Sequence, residues 1–159
     1  MITVLVIGTD LSVSEQQIPE VPIAQDVAVQ TLVTERPGKR TVATAAQYHR
    51  EALMWVADDG ANAGLSPNVL ATALASAWRG LDVARSYWLH GPVVVTGAHG
   101  RDAALGVPEE RAADVRAALQ AFADLRGTWQ RTGAPADRGE QWRQVLGAVS
   151  AAVACPAVR

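Results

Sequence analysis

The sequence predicts an α+β fold, with a small mixed β-sheet of four or five strands covered by helices and a helical C-terminal extension. Three observations support this prediction. The runs Ile2–Ile7 and Pro92–Gly97 are apolar on both faces, which is typical of strands near the centre of a sheet. From Pro108 the chain is rich in alanine and carries apolar residues at helical spacing. Finally, 159 residues with 49% apolar content are enough to fold as one globular unit.

The first strand ends at a polar turn, and the segment that follows is less regular. Two prolines within residues 11–24 argue against a central strand, so we expect an edge strand or an irregular connection there. Asp26 is predicted to cap a short helix that ends before the turn at Arg36–Gly38. A short strand is expected at Thr41–Thr44.

The middle of the chain has a clear order of elements. Glu51–Ala57 is predicted to be a strand inside the sheet, and Asp58–Gly60 is the turn that ends it. A helix should follow, with Ser66 as its capping residue and Pro67 at its first position, because these residue types are favoured there. Gly80 is the expected end of this helix.

Two helices are predicted in the C-terminal third. Pro108 opens the first of them, because proline suits the first turn and the carboxylates that follow favour the positive end of the helix dipole. Gly127 and then Thr132–Pro135 are predicted to break this helix. Asp137 and Glu140 have the spacing of a capping pair for the last helix.

The predicted break divides the chain into an α+β core domain, residues 1–126, and a helical C-terminal extension, residues 127–159. The extension is expected to pack on the core or to mediate association. The apolar stripes of the last two helices need a surface to cover them, so the sequence is compatible with a homodimer.

Charge and cysteine content disfavour several classes of function. The chain has 14 basic and 16 acidic residues, a formal net charge of −2, which disfavours binding to a nucleic-acid backbone. Arg36, Lys39 and Arg40 form a local basic cluster, which we interpret as a solvated loop. No apolar run approaches the roughly 20 residues of a membrane-spanning helix. Cys155 is the only cysteine, so no intrachain disulfide is possible and a reducing, cytoplasmic setting is predicted.

The motifs of common enzymes are missing from the sequence. There is no nucleophile elbow, and the glycine-rich turn at Gly97–Gly100 lacks the lysine of a phosphate-binding loop. His49, His90 and His99 are the only histidines, and no two of them have a spacing suited to one metal ion. We therefore expect no metal, no cofactor and no catalytic residues.

A polar and aromatic cluster at residues 47–51 is the first candidate site. It precedes a predicted buried strand, where a loop could face a small anionic ligand together with the turn after the second apolar run. His49 and Glu51 could alternatively act as an acid–base pair. The competing interpretation is a surface loop in which Tyr48 is partly packed. The candidate ligand-binding residues are Tyr48, His49, Arg50, Glu51, His99 and Arg101.

Tryptophan is unusually frequent, with five residues in the chain. Trp55 and Trp78 lie on predicted core faces, whereas packing explains the other three less well. Trp129 is expected in the break between the last two helices and has arginine neighbours, a combination that protein interfaces favour. Equally, the last helix could fold back and bury it. The candidate interface residues are Trp88, Arg126, Trp129, Arg131 and Trp142.

Four short motifs together resemble a known domain family. They are the turn Asp58–Gly60, the helix start Gly64–Asn68 with Ala71–Thr72, the strand Gly91–Gly97 and the helix start Val107–Glu109. In this combination, over roughly residues 1–126, the chain is similar to an uncharacterised family common in actinobacterial genomes, their phages and their mobile elements. The resemblance implies a small α+β domain in a phage or mobile-element setting, and it implies no catalytic residues.

Three functions are open on this basis. The first is a non-enzymatic phage or mobile-element accessory protein that binds and modulates a host or defence protein. The second is a protein that binds a small nucleotide-like ligand, for example as a sponge for a signal molecule. The third is an enzyme that uses His49 and Glu51.

Overall fold

The computed structural model describes residues 1–34 and 42–153, and it shows the α+β fold that the sequence predicts. These residues form five strands and four α-helices, with a short 3₁₀ turn at Val83–Arg85. In chain order the elements are β1 (Ile2–Ile7), β2 (Val13–Ile18), α1 (Pro22–Val33), β3 (Ala43–His49), β4 (Ala52–Ala57), α2 (Val69–Arg79), β5 (Val93–Gly97), α3 (Glu109–Thr132) and α4 (Arg138–Ala152).

The five strands form one sheet in the order β2-β1-β5-β4-β3. Every pairing is antiparallel, whereas the sequence suggests a mixed sheet. The pairs β1–β2 and β3–β4 are joined by short turns, which only antiparallel strands permit, and β5 lies antiparallel between the two hairpins. The two apolar runs of the sequence, β1 and β5, are therefore adjacent inner strands.

The sheet separates two apolar cores. On one face Val4 and Val94 pack with α1. On the other face their sequence neighbours Leu5 and Val95 pack in a larger core with α2, α3 and α4. Because successive side chains of a strand point to opposite faces, a strand covered on both sides must be apolar throughout. This explains the continuous apolar runs of β1 and β5.

Helix α1 begins earlier than expected and is not capped by Asp26, which lies inside it. Pro22 starts the helix, since its fixed φ and missing N–H suit the first turn. Gln25 is buried and ties the helix to the loop after β5. Its Nε2 donates to the carbonyl of Ala104 at 3.0 Å, and its Oε1 accepts from the Ala104 N–H at 2.9 Å. One side-chain amide thus holds α1 against a distant part of the chain.

The start of α2 depends on Asn68, which is fully buried, and the prediction of Ser66 as the cap is wrong. The Asn68 Oδ1 accepts from the Ala71 N–H at 3.0 Å, which satisfies a donor left free at the helix start. Its Nδ2 donates to the carbonyls of Ile7 and Gly91, both at 2.9 Å. The cap therefore also joins α2 to the end of β1 and to the chain that enters β5.

A second polar contact extends from Asn68 along α2. Thr72 Oγ1 donates to the Asn68 carbonyl at 2.7 Å and accepts from the Leu89 N–H at 3.2 Å. The Asn68 N–H donates in turn to the Leu89 carbonyl at 2.7 Å. Pro67, expected as the first helical residue, instead forms an extended backbone bridge with His90. The segment around Leu89 is therefore anchored along the start of α2.

The prediction that α3 breaks at Gly127 is wrong. The helix has 24 residues and runs through Gly127 to Thr132. An isolated glycine costs a helix interior only about 1 kcal/mol relative to alanine, a cost that packing of the helix offsets. The helix ends instead at Gly133, whose φ of 89° suits glycine. Trp129 consequently lies within α3 and not between two helices.

Helix α4 folds back against α2 and α3 and is part of the packed structure. It buries Val145, Val149 and Val153 in the larger core. The predicted boundary between core and extension, after residue 126, falls inside the continuous helix α3. Within the chain, α4 packs on α2 and α3. A role of this segment in association stays a prediction.

The start of α4 confirms one half of the expected capping pair. The Asp137 side chain accepts from the Gly139 N–H at 3.1 Å. Glu140 instead accepts from Arg143 Nε at 2.9 Å, one turn further along the helix. The negative charge of Glu140 still lies in the first turn, where it favours the helix dipole.

Strand β3 begins later and runs further than the short strand expected at Thr41–Thr44. The basic cluster at residues 36–40 and Cys155 lie outside the described residues. In the part of the chain that the structure describes, helices are either too short or too polar to cross a membrane.

The Asn68 contacts predict a specific stability defect. In Asn68→Asp the cap acceptor is kept, but the carbonyls of Ile7 and Gly91 lose their donors and face a carboxylate. Each buried polar group without a partner costs about 1–3 kcal/mol, so urea unfolding should show a loss of about 3 kcal/mol or more. The matched control is Asp137→Asn at the exposed cap of α4, which should change stability by less than about 0.5 kcal/mol. Equal effects would contradict the role of the Nδ2 bonds.

Substitution by alanine is expected to have opposite effects on stability at Gly97 and Gly147. A Cβ at Gly97 would lie 2.3 Å from the carbonyl oxygen of Gly106, whereas nothing lies within 4 Å of a Cβ at Gly147 in α4. Gly97→Ala should therefore lower the melting temperature, because backbone must move. Gly147→Ala should raise stability by about 0.5–1 kcal/mol, since alanine favours a helix interior. A neutral Gly97→Ala variant would show that the loop after β5 packs differently.

Candidate functional site

Tyr48 and His49 do not lie in a loop, contrary to the sequence-based expectation for residues 47–51. Both belong to β3 and both are buried. The pairing of β3 with β4 shifts register between Ala46 and His49, as in a β-bulge. A bulge changes the direction of side chains along a strand, which allows two consecutive residues to be buried together.

The Tyr48 hydroxyl is engaged with a second tyrosine. It lies 2.7 Å from the hydroxyl of Tyr87, in the segment between α2 and β5. Burial, and then the contact with Tyr87, raise the pKa of Tyr48 well above its ordinary value. The phenol therefore stays protonated at physiological pH and holds two segments together.

His49 meets protein donors at both of its ring nitrogens. Nδ1 accepts from the backbone N–H of Glu51 at 3.0 Å, and Nε2 contacts Nη1 of Arg111. Burial, followed by the positive charge of Arg111, lowers the pKa of His49 below its ordinary value. The Glu51 carboxylate lies instead 3.9 Å from Arg50. General acid–base catalysis requires a ring nitrogen that can reach the substrate. In this arrangement both nitrogens of His49 are occupied by protein groups.

Arg111 connects His49 to a buried carboxylate. The arginine is 3% exposed, and its Nε lies 3.3 Å from Oδ2 of Asp114. The same oxygen accepts from Trp78 Nε1 at 2.9 Å. The Trp78 ring also packs edge-on against His49, with centroids 5.7 Å apart. Burying an arginine is costly unless it is paired, so this network fixes the start of α3 against α2 and β3.

The other candidate ligand residues lie on two turns at the same end of the sheet. These residues are Arg50, Glu51, His99 and Arg101. Pairing of Ala52 with Gly97 brings the two turns side by side. The His99 ring packs edge-on against Trp55, 6.1 Å away, beside the core under α1. Of the six predicted residues, Tyr48 and His49 are thus buried in separate contacts of β3, and the other four lie on two turns. Among the described residues, no group of three or more histidine, cysteine or carboxylate side chains is placed to hold a metal ion.

Three of the candidate interface residues, by contrast, meet at one cleft. Trp88, Trp129 and Trp142 surround a cleft of about 630 Å³ between α3, α4 and the segment after α2. Phe122 and Val145, both buried, form part of its floor. We call it the tryptophan cleft. Its volume lies within the range of about 300–1,000 Å³ that is usual for ligand sites.

The indole rings are held by contacts that use their polar groups. Trp142 Nε1 donates to the Asp82 carboxylate at 3.1 Å, and Trp129 Nε1 donates to Gln144 Oε1 at 2.8 Å. Trp88 and Trp142 pack edge to face, with centroids 4.6 Å apart and planes at 61°. Since these two N–H groups are satisfied within the protein, Trp129 and Trp142 offer mainly apolar ring surface to a ligand.

Among the described residues that line the cleft, Arg138 is the one arginine. The predicted arginines lie elsewhere: Arg126 lines a depression beside the β1–β2 turn, and Arg131 donates to the hydroxyl of Thr128. Arg138 was missed by sequence reasoning, although a signal was present. It precedes Trp142 by four residues, a spacing that places two side chains on one face of a helix.

Hydrogen bonds to the start of α2 position the side of the cleft that carries Trp88 and His90. Leu89, next to Trp88, is bonded through its N–H to Thr72 and through its carbonyl to Asn68. His90, which also lines the cleft, pairs with Pro67. The buried cap of α2 and the placement of Trp88 are therefore parts of one hydrogen-bonded arrangement.

Comparison of the chain with protein-family models, curated proteins and solved structures gives no match. The family resemblance of the sequence and its phage or mobile-element setting thus stay predictions.

His49 predicts a pH dependence of stability. Its pKa is lowered in the folded state, so between that value and the unfolded value of about 6.5 the unfolded chain binds more protons. Stability should therefore fall as the pH is lowered from 7.5 towards 5.5, measured as the urea midpoint. His49→Gln should reduce this dependence, even if it lowers stability at pH 7.5. His99→Gln controls for loss of an exposed imidazole, and an unchanged slope in His49→Gln would refute the assignment.

Proposed function

We propose that this protein is a non-enzymatic binding protein that captures a segment of a partner protein in the tryptophan cleft. The observation that carries the proposal is the convergence of Trp88, Trp129 and Trp142 on one partly open cleft. Trp129 and Trp142 pack against the larger core, and all three rings remain partly accessible. Tryptophan is the residue type most enriched at the energetic centres of protein interfaces.

The cleft has the physical properties of such a centre. Its rings are fixed before binding, because Asp82 and Gln144 hold two of them by hydrogen bonds. A rigid aromatic surface loses little conformational entropy when a partner is bound. Its floor also lies directly on the larger core, so a ligand side chain would be removed from water on several sides.

The sequence resemblance suggests which partner to look for. In a phage or mobile-element setting, the captured protein would be a host or defence protein whose activity changes on binding. The His49 environment supports the non-enzymatic interpretation. In the candidate acid–base pair of His49 and Glu51, the imidazole is buried and contacts the Glu51 N–H and Arg111.

A small nucleotide-like ligand is the second candidate, favoured by the cleft volume and by Arg138 at its lining. The orientation of the rings argues against it. A planar base is held best between two parallel rings, but Trp88 and Trp142 stand at 61° and already touch each other. No base can be inserted between them without separating the pair.

Affinity capture from cells of the native source tests the proposal. A tagged wild-type protein should retain a specific partner, and Trp129→Ala should weaken its affinity by about 30-fold or more, the scale of an interface centre. Gln141→Trp tests the same surface without opening the core, because an added ring would fill the cleft. Trp55→Phe, beside α1 on the opposite face of the sheet, is the matched control and should bind as wild type.

The melting temperature of each variant should be measured alongside its affinity. A partner that binds Trp129→Ala and Gln141→Trp as tightly as wild type would refute the proposal. Native mass spectrometry of the purified protein separates the second candidate. If a mass of a few hundred daltons co-purifies with the wild-type protein and is lost in Gln141→Trp, the cleft binds a small ligand. That result would favour the second candidate function over capture of a protein segment.

A further inference from the structure

We infer that the segment captured by the tryptophan cleft is acidic: an apolar side chain fills the cleft, and a neighbouring aspartate or glutamate pairs with Arg138. This inference rests on the proposed function and specifies the chemistry of the partner. It is carried by the state of the charges around the cleft and by the use of the indole N–H groups.

Three acidic groups near the cleft are already paired within the protein. Asp82 accepts from Trp142 Nε1 at 3.1 Å and lies 4.0 Å from Arg85. Asp137 and Glu140, at the start of α4, both pair with Arg143, at 3.7 Å and 2.8 Å. Asp82, Asp137 and Glu140 therefore already have partners within the protein.

Arg138, in contrast to these carboxylates, has no partner among the described residues. It lines the cleft, and within the described residues it makes neither an ion pair nor a hydrogen bond. Arg143, five residues further on the same helix, shows that an arginine here can be paired when a carboxylate is available. An unpaired guanidinium beside an apolar cleft is complementary to a carboxylate that arrives with an apolar side chain.

The body of the cleft selects an apolar side chain. The N–H groups of Trp129 and Trp142 are bonded to Gln144 and Asp82, so they are not available to a polar ligand group. Phe122 and Val145 present only hydrocarbon. A polar side chain placed against Phe122 and Val145 would lose its water without gaining partners there, whereas an aliphatic or aromatic one would be buried favourably.

The two contributions differ in size. Apolar burial provides the affinity, whereas an ion pair at an exposed rim changes affinity by only about two- to fivefold and acts mainly on the association rate. The preference for acidic segments should therefore weaken at high salt. The preference for an apolar side chain should persist.

Selection of peptides from a displayed library of random octapeptides tests the inference. On the wild-type protein, enriched peptides should combine a large apolar residue with aspartate or glutamate within two positions, and they should bind about two- to fivefold more weakly to Arg138→Ala. Selection on Arg138→Glu should reverse the preference, enriching lysine and arginine at the same positions. Arg131→Glu is the control with equal charge change outside the cleft, and it should retain the acidic preference.

The outcomes separate this inference from the function on which it rests. Enriched peptides that Gln141→Trp no longer binds, but that show no acidic preference or keep it in Arg138→Glu, would overturn the inference and leave the binding function intact. Peptides whose binding is unaffected by Gln141→Trp, or no enrichment at all, would overturn both.

Discussion

The structure depends on one buried side-chain amide, that of Asn68. An asparagine side chain carries an acceptor and two N–H donors, and here it bonds to the backbone of Ala71, Ile7 and Gly91. These partners belong to the start of α2, the end of β1 and the chain that enters β5. Because a buried polar group without a partner costs on the order of 1–3 kcal/mol, the three elements are strongly held in one arrangement.

The tryptophan cleft depends on this arrangement and on the return of α4. The backbone of Leu89 is bonded to Asn68 and Thr72, and this places Trp88. The other two rings come from α3 and α4. The sequence pointed to these tryptophans because packing did not explain them, but it could not show that they converge. Their convergence depends on α4 folding back across α2 and α3, a contact between residues far apart in the chain.

Local chemistry made the elements predictable, and long-range contacts decided the details that the sequence missed. Ser66 and Asn68 are both good capping residues, and only the distant carbonyls that Asn68 meets distinguish them. Gly127 weakens a helix locally, yet packing carries α3 through it. Tyr48 and His49 resemble loop residues because a bulge hides their strand periodicity. At Ser66 and Gly127 the local propensity was real and a tertiary contact outweighed it, whereas the loop predicted at Tyr48 and His49 was wrong.

Binding at the tryptophan cleft can be observed at the indole rings themselves. The side-chain N–H signals in a ¹H–¹⁵N NMR spectrum test it most directly, because the chain has five tryptophans and each gives one such signal. On addition of the captured partner segment, the signals of Trp88, Trp129 and Trp142 should shift, while those of Trp55 and Trp78 should stay unchanged. Shifts confined to Trp55, beside α1, would instead show that the partner binds on the opposite face of the sheet, and they would refute binding at the cleft.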